Sequence, residues 1–309
     1  MRAIFIGGCD RSGTTYLAAL LARLEGVVAL PEAPFIPETA RAVLERGETP
    51  NETVARFESD HRFRSFRETG RPSLSSPDYA NLDATALIRR LVEDYAAATD
   101  AAPVDVFVEH SPDNIDRALS LPRFFDGAKF LHMVRDGRAV AASLIPLDWG
   151  PTNIIDMQRY WRRAVEKGLA AVRALGPDRA LTVSYETLIA EPEMTLRHIA
   201  AFLGLAERAE RLNGKTSYRP PGYSAKTHRL VQSAPDLARI ERWRNELSRR
   251  QIELFEREAA PLLETLGLSC LSDPTRTPPP SSLELVLMKL RDAYEKKAQA
   301  ARYRRRHRL

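Results

Sequence analysis

The sequence predicts an α/β fold in which a mainly parallel sheet is flanked by helices. First, an apolar run at residues 4–6 leads through a glycine-rich loop into a segment whose leucines are spaced as on the buried face of a helix. Second, four further apolar runs alternate with helical patterns, which is typical of parallel sheets. Third, polar clusters follow the runs directly, and ligands bind where the carboxyl ends of parallel strands meet.

The loop after the first strand is the first candidate site. It matches the phosphate-binding pattern G-x-x-x-x-G-K-[ST] at Gly8, Gly13 and Thr15, but Thr14 replaces the lysine. Arg11 supplies a cation inside the loop instead. The backbone N–H groups of such a loop and of the following helix bind oxyanions, whereas the lysine is typical of triphosphate chemistry with magnesium. The loop therefore predicts an oxyanion site without naming a reaction.

The remaining elements follow in order along the chain. Strands are predicted at residues 27–30, 105–109, 129–134 and 179–184. The three prolines within residues 31–37 are expected to prevent regular structure there. Helices are predicted at residues 40–46, 83–98, 191–204 and 240–268, and in the last 27 residues, with a polar loop at 70–78.

The predicted organisation is one main domain with two additions. Residues 1–270 form the main domain, and residues 38–103 are a helical insertion that we expect on the acceptor side of the site. A proline-rich linker covers residues 271–282. Residues 283–309 form a basic amphipathic helix, which lies on anionic lipid, binds an acidic partner or packs back on the main domain.

Composition limits the class of protein. The 309 residues are 44% apolar, enough for a substantial core, and the pI is about 9.3. Nine Lys and Arg against two acidic residues give residues 289–309 a charge of +7, so the net +5 of the chain leaves −2 on the rest. The main domain is therefore not basic, and no nucleic-acid partner is predicted.

The two cysteines, Cys9 and Cys270, indicate neither a disulfide framework nor a cysteine-rich metal site. The chain begins almost directly in its first strand, without the pattern of a secretory signal, and it has no apolar run long enough to cross a membrane. We therefore expect a soluble cytoplasmic protein.

Three motifs occur in order along the chain: the loop at residues 7–15, the segment Val-Arg-Asp-Gly-Arg-Ala-Val-Ala-Ala-Ser at residues 134–143, and residues 184–192 continuing through 202–205. With these motifs the chain resembles the sulfotransferases that use 3′-phosphoadenosine 5′-phosphosulfate (PAPS), in particular bacterial members with features of the tyrosylprotein and carbohydrate branch. The resemblance covers roughly residues 1–250. It implies a P-loop-kinase-like sheet, PAPS as donor, PAP as product and no metal.

The resemblance also implies roles for individual residues. Arg135 and Ser143 correspond to residues that hold the 3′-phosphate, and Tyr185 to a further contact with it. The late contact with this phosphate corresponds to Lys226 or Arg229. The residues that correspond to the 5′-phosphosulfate site are Arg11, Ser12, Gly13, Thr14 and Thr15.

The catalytic base has two candidates. Glu32 corresponds to the glutamate base of the tyrosylprotein and carbohydrate branch, which this chain resembles. His110 resembles the histidine base of the cytosolic branch. A carboxylate needs a raised pKa for this task, whereas histidine is near neutrality without help. We favour Glu32, with His110 assisting, because Val108 stands where the cytosolic branch has a lysine.

Two other functions compete with sulfuryl transfer. A small-molecule kinase is disfavoured by Thr14 in place of the lysine, and only Glu109 offers an acidic magnesium ligand at a strand end. A nucleotide-dependent binding module docked through the basic tail is the non-enzymatic alternative. The sequence leaves open whether the acceptor is a small molecule, a glycan, a lipid or a peptide, and which oligomer forms.

Overall fold

The computed structural model describes residues 1–70, 82–101, 103–207, 216–220 and 236–307. Five strands and fifteen helices occur in this part of the chain. They are β1 (Arg2–Gly8), α1 (Thr14–Leu21), β2 (Val27–Ala29), α2 (Phe35–Arg46), α3 (Pro50–Ser59), α4 (His61–Gly70), α5 (Ala84–Ala98), β3 (Val106–Glu109), α6 (Asn114–Arg117), α7 (Leu121–Phe124), β4 (Lys129–Val134), α8 (Gly137–Leu144), α9 (Ile154–Leu175), β5 (Ala180–Ser184), α10 (Tyr185–Ala190), α11 (Pro192–Phe202), α12 (Ala238–Glu241), α13 (Trp243–Glu246), α14 (Arg249–Thr265) and α15 (Ser282–His307).

The strands form one parallel sheet in the order β2-β3-β1-β4-β5. The central strand β1 pairs with both neighbours, so that Ile4 lies opposite Val108 on β3 and Lys129 on β4. The interior of β1 is fully buried, which explains its continuous apolar run. The predicted sheet flanked by helices is confirmed, and each predicted strand agrees with the observed one to within a residue or two.

The chain divides into two compact units. The sheet unit consists of Met1–Gly8, Gly13–Met133 and Lys167–Pro235. The second unit consists of Cys9–Ser12, Val134–Glu166 and Asp236–Leu309. The boundaries of these units differ from those of the predicted main domain and helical tail, which stay a prediction.

The helices α2 to α5 of the sheet unit share an aromatic core. Phe35 packs against Phe57, Phe63 and Phe66 with ring centroids 4.9–5.7 Å apart, and Phe66 stacks on Tyr95. Residues 61–66 mix basic and aromatic side chains, and this pattern alone predicts a solvated helix face. That prediction is wrong for Phe63 and Phe66, whose side chains are fully buried. The segment supplies part of the core.

The proline-rich segment after β2 is more regular than expected. Helix α2 begins at Phe35 and includes Pro37 within its first turn. The N–H groups of a first turn have no partner inside the helix, so a proline costs nothing there. The expectation of irregular structure holds only for the residues before Phe35.

A buried ion-pair network organises the second unit. Arg138 binds Asp136 at 2.7 Å and also contacts Glu256, and its guanidinium lies 4.1 Å from the ring centroid of Trp243. Burial alone would raise the pKa of Glu256, but hydrogen bonds from the backbone of Leu271 and its other partners together lower it. These charges are mutually satisfied, so they hold α8 and α14 together.

His132 gives the sheet unit a predicted dependence on pH. Its ring lies against Gly168 of α9, where an added Cβ would come within 2.1 Å of Nε2, and it has no hydrogen-bond partner among the described residues. Burial lowers its pKa to about 4. In the unfolded chain this imidazole binds a proton near pH 6.5. The contribution of His132 to the free energy of unfolding is therefore fully present above pH 6.5 and is lost as the pH falls toward 4.

We expect the preference of the unfolded chain for protonated His132 to lower the free energy of unfolding by about 2 kcal/mol as the pH falls from 7 to 5. Urea unfolding of the wild type and His132→Leu at both pH values measures it. The variant should lose less stability over that interval than the wild type. Equal losses in the two proteins would refute the assignment to His132.

None of the described helices has both the length and the apolar composition that a membrane crossing requires. The same part of the chain contains no group of three or more His, Cys, Asp or Glu side chains arranged to hold a metal ion.

Candidate functional site

The amino end of α1 lies directly after the glycine-rich loop. Gly13 precedes the helix in the left-handed conformation, with φ at 97°, which glycine adopts without strain. A Cβ at this position would lie 2.6 Å from the ring of Tyr185, so the glycine is also required by space. Thr14 and Thr15 are the first, buried residues of α1, and the N–H groups of this turn suit an anion.

Tyr185 is the first residue of α10 and follows β5 without a loop. The hydroxyl of Ser184 accepts a hydrogen bond from the backbone of Thr187 and so caps α10. The tyrosine ring is buried against Gly13. In the sheet unit, the structure therefore brings together two of the predicted donor-binding positions, the loop glycine and this tyrosine.

In the second unit, Arg11, Arg135 and Ser143 lie together. The Nε of Arg11 donates to the hydroxyl of Ser143 at 3.1 Å, and Nη1 of Arg135 donates to the backbone oxygen of Arg11 at 2.9 Å. The indole of Trp161 donates to the backbone oxygen of Arg135 at 3.0 Å. Three residues from distant parts of the sequence, Arg11, Arg135 and Ser143, are thus connected by direct hydrogen bonds.

The loop residues between these contacts have unusual features. Arg11 has φ at 66°, a left-handed conformation that is uncommon for a residue other than glycine. The hydroxyl of Ser12 is buried without a hydrogen-bond partner among the described residues. A strained arginine beside an unsatisfied buried hydroxyl is typical of a ligand-binding loop.

The thiol of Cys9 is buried in this loop. Burial, followed by the charge of Asp10, raises the pKa of its thiol well above the usual value. The thiolate form that a nucleophile requires is therefore scarce.

Glu32 lies in the segment between β2 and α2 of the sheet unit. Its carboxylate forms an ion pair with Arg62 of α4, and 22% of its side chain is exposed. This exposure leaves the carboxylate accessible to a ligand.

Glu109, the last residue of β3, is a buried hydrogen-bond acceptor. Its Oε1 accepts bonds from the backbone N–H of Ala33 at 2.9 Å and of Ser111 at 3.0 Å, as well as from the Ser111 hydroxyl. Its Oε2 accepts from the amide of Asn114 at 2.6 Å. The side chain therefore connects the segment that carries Glu32 to the end of β3.

His110 follows Glu109 and is fully buried. Its ring lies edge-on to Tyr218 with centroids 5.5 Å apart, and neither ring nitrogen has a hydrogen-bond partner within the described part of the chain. The two candidate bases thus differ in access, because Glu32 is partly exposed and His110 is not.

The sequence pattern does not predict Arg62 as the partner of Glu32, and it offers Glu109 only as a weak metal ligand. Arg62 lies 30 residues from Glu32, and Glu109 lies 76 residues from Ala33. The only local signal was that Glu109 ends a buried strand, where a charged side chain needs partners. Lys226 and Arg229, the predicted late contacts, lie outside the described residues.

Comparison with known proteins provides a family. A family model described as "Sulfotransferase family" matches residues 3–209. Protein-tyrosine sulfotransferase 2 of Gallus gallus is 28% identical over 222 residues, 67% of this chain and 52% of that protein. Protein-tyrosine sulfotransferase of Drosophila melanogaster is 29% identical over 209 residues, 66% of this chain and 38% of that protein. The chain thus spans about half the length or less of these relatives.

Solved structures show the same fold. The sulfotransferase domain of the Synechococcus PCC 7002 olefin synthase superposes with a TM-score of 0.59 at 23% identity, covering 87% of this chain and 94% of that one. The sulfotransferase domain from the curacin biosynthetic pathway gives a TM-score of 0.52 at 18% identity, covering 87% of this chain and 99% of that one. Because the family model spans the loop, the Arg135 segment and the residues after β5, this chain belongs to the sulfotransferase family.

Proposed function

We propose that this protein transfers the sulfuryl group of PAPS to a hydroxyl or amine of an acceptor. The observation that carries the proposal is the connected arrangement of Arg11, Arg135 and Ser143. These bonds hold the guanidinium of Arg135 and the hydroxyl of Ser143 beside the loop at Arg11. PAPS has anionic groups at both its 5′ and its 3′ position, and guanidinium groups bind such groups through charge-assisted hydrogen bonds.

Each donor-binding residue has a role in this proposal. Arg135 and Ser143 bind the 3′-phosphate, for which the planar guanidinium offers paired, charge-assisted bonds. Tyr185 is a further contact to the same phosphate. The loop residues bind the 5′-phosphosulfate through their N–H groups, hydroxyls and one guanidinium; they are Arg11, Ser12, Gly13, Thr14 and Thr15.

Glu32 removes the proton from the acceptor hydroxyl as the acceptor oxygen attacks the sulfur in line. The partial exposure of Glu32 supports this role, and the complete burial of His110 disfavours that residue as the group that meets the acceptor. The bond from sulfur to the bridging oxygen breaks, and negative charge develops on the departing phosphate. Arg11 and the loop N–H groups stabilise that charge.

The proposal needs no metal ion at this step, because the transferred sulfuryl group has fewer negative charges than the phosphoryl group of a kinase substrate. A kinase reaction is also disfavoured by the surroundings of Glu109. That carboxylate, the candidate magnesium ligand, already accepts bonds from Ala33, Ser111 and Asn114. Thr14 further leaves the loop without the lysine of triphosphate enzymes.

The acceptor is proposed only as a class. The named relatives act on protein tyrosines, which supports a phenolic hydroxyl as one candidate, although the chain spans only about half of their length. PAPS with a radiolabelled sulfuryl group, incubated with the protein and separated lysate fractions, tests transfer directly. We expect label to enter a small-molecule, glycan or protein fraction. Label released only as inorganic sulfate would contradict transfer.

Glu109 is proposed as a positioning residue for Glu32. In Glu109→Gln, the new amide N–H₂ group faces at least one of the N–H donors that bond to the carboxylate in the wild type. That hydrogen bond is lost, so the segment that carries Glu32 loses part of its support. We expect kcat to fall roughly 10- to 100-fold with little change in PAP affinity, since a displacement of about 1 Å is costly in an active site.

A second measurement separates positioning from general stability. In the Glu32→Gln background, Glu109→Gln should lower kcat little further, because the positioned group is already absent. Glu256→Gln, which alters another buried carboxylate in the second unit, should instead reduce kcat by the same factor in both backgrounds. Independent effects of Glu32 and Glu109 would refute the positioning role.

A further inference from the structure

Helix α15 has an apolar stripe that faces away from its packing contacts. The stripe residues recur at helical spacing along one side and are between 52% and 71% exposed; they are Leu283, Val286, Leu287, Leu290 and Tyr294. Single exposed apolar residues need no explanation, but five on one line of one helix form a continuous patch. The patch therefore suggests a surface that is covered by something else.

The opposite side of α15 is held by polar contacts within the second unit. Arg250 of α14 binds Glu284 at 2.8 Å, and this hydrogen bond is the main reason why the pKa of Glu284 falls to about 2. Gln299 donates to the backbone oxygen of Leu147 at 2.9 Å. Thr152 also donates to Asp292. These contacts fix the rotation of the helix and leave the stripe facing outward.

Charge is segregated on the same helix. Its three acidic residues are all paired: Glu284 with Arg250, Asp292 with Lys296 and Glu295 with Arg302. The cations near the stripe include four exposed residues, namely Lys289, Arg291, Lys297 and Arg304. Lys297 and Arg304 lie seven and fourteen residues after Leu290, so they continue the line of the stripe. The outward face is thus apolar and cationic.

We propose that this face of α15 binds the surface of an anionic lipid bilayer. The stripe would be buried among the outermost acyl groups while the neighbouring lysines and arginines meet the headgroup phosphates, which is how interfacial amphipathic helices bind. A second copy of the chain is a poorer occupant, since pairing two such faces would bring their cations together. The proposal concerns a surface separate from the transfer reaction and does not depend on it.

Co-sedimentation of the full-length chain with vesicles tests this proposal. One set of vesicles contains phosphatidylcholine alone, and the other contains phosphatidylcholine with phosphatidylglycerol in a two-to-one ratio. We expect strong binding to the anionic vesicles and weak binding to the neutral ones, with the difference shrinking at high salt. Arg291→Gln with Lys297→Gln should weaken anionic binding about 25-fold, because each cation contributes roughly fivefold.

The apolar stripe is tested separately. Leu287→Ser with Leu290→Ser should weaken vesicle binding by roughly tenfold or more. The matched control is Leu119→Ser with Met194→Ser, two similarly exposed apolar residues elsewhere in the chain, which should bind like the wild type. Circular dichroism establishes that each variant is folded.

Three results would overturn the proposal. The first is that the wild type fails to bind the anionic vesicles. The second is that the stripe variant binds them as well as the wild type does. The third is a concentration-dependent dimer of the wild type that the stripe variant abolishes without any vesicle binding, which would make a second copy the occupant.

Discussion

Replacing Glu32 with glutamine should lower kcat by roughly 10²- to 10⁴-fold, the usual contribution of a general base. Glutamine keeps the size and polarity of the side chain but cannot accept the acceptor's proton. Its ion pair with Arg62 is lost as well, so the amide position must be checked through binding. PAP affinity should stay near that of the wild type, because Glu32 is proposed to act on the acceptor and not on the donor.

Two controls make this test specific. Glu38→Gln also removes an ion-paired carboxylate of the sheet unit, one bonded to Arg41 and Arg117, and it should leave kcat nearly unchanged. His110→Ala should lower kcat less than Glu32→Gln in protein that remains folded. The reverse ranking on the same acceptor would assign the base to His110.

Replacing Arg135 with alanine should weaken PAP binding by about 1.5–3 kcal/mol, or roughly 10- to 150-fold, the range for hydrogen bonds to charged groups. Arg135 also donates to the backbone oxygen of Arg11, so its removal could act through the loop alone. Adenosine 5′-phosphate, which lacks the 3′-phosphate of PAP, separates the two effects.

A direct contact with the 3′-phosphate predicts that Arg135→Ala weakens binding of PAP much more than binding of adenosine 5′-phosphate. Arg11→Ala should weaken both ligands to a similar extent, because it is proposed to contact the 5′ side. Equal losses of the two ligands in Arg135→Ala would show that the arginine supports the loop and does not bind the 3′-phosphate.

The elements of the fold were predictable because their signals are local. The apolar run of β1 and the alternation of strands with helices follow from residues that are close in sequence. The order β2-β3-β1-β4-β5 was not predicted, since strand order depends on which distant segments pair. Pro37 was read as a breaker because its position in the first turn of α2 depends on where that helix begins.

The candidate site was predictable in part for the same reason. Motifs identified Arg11, Arg135 and Ser143, and in the second unit the side chains of Arg135 and Ser143 bond to the backbone and the side chain of Arg11, respectively. Glu109 was undervalued because its function as a hydrogen-bond acceptor depends on Ala33, which is distant in sequence. A strand-end carboxylate can face either side of a sheet, and the pattern of residues alone does not say which groups it meets.

The helical segment with Arg62 shows a further limit. Its mixture of basic and aromatic residues resembles a solvated surface when considered alone. Phe63 and Phe66 are nevertheless buried, since α2, α3 and α5 provide the matching aromatic surface. Arg62 is then directed to Glu32 by the packing of its neighbours. Packing contacts of this kind form between segments that are distant in sequence, and local periodicity does not show which of these segments meet.

Calorimetric titration of the wild-type protein with PAP and with ATP, each with and without magnesium, tests the central claim most directly. Binding of the 3′,5′-bisphosphate nucleotide should be tight and independent of magnesium, and ATP should bind weakly under both conditions. Magnesium-dependent ATP binding in the absence of PAP binding would contradict the account and favour a kinase.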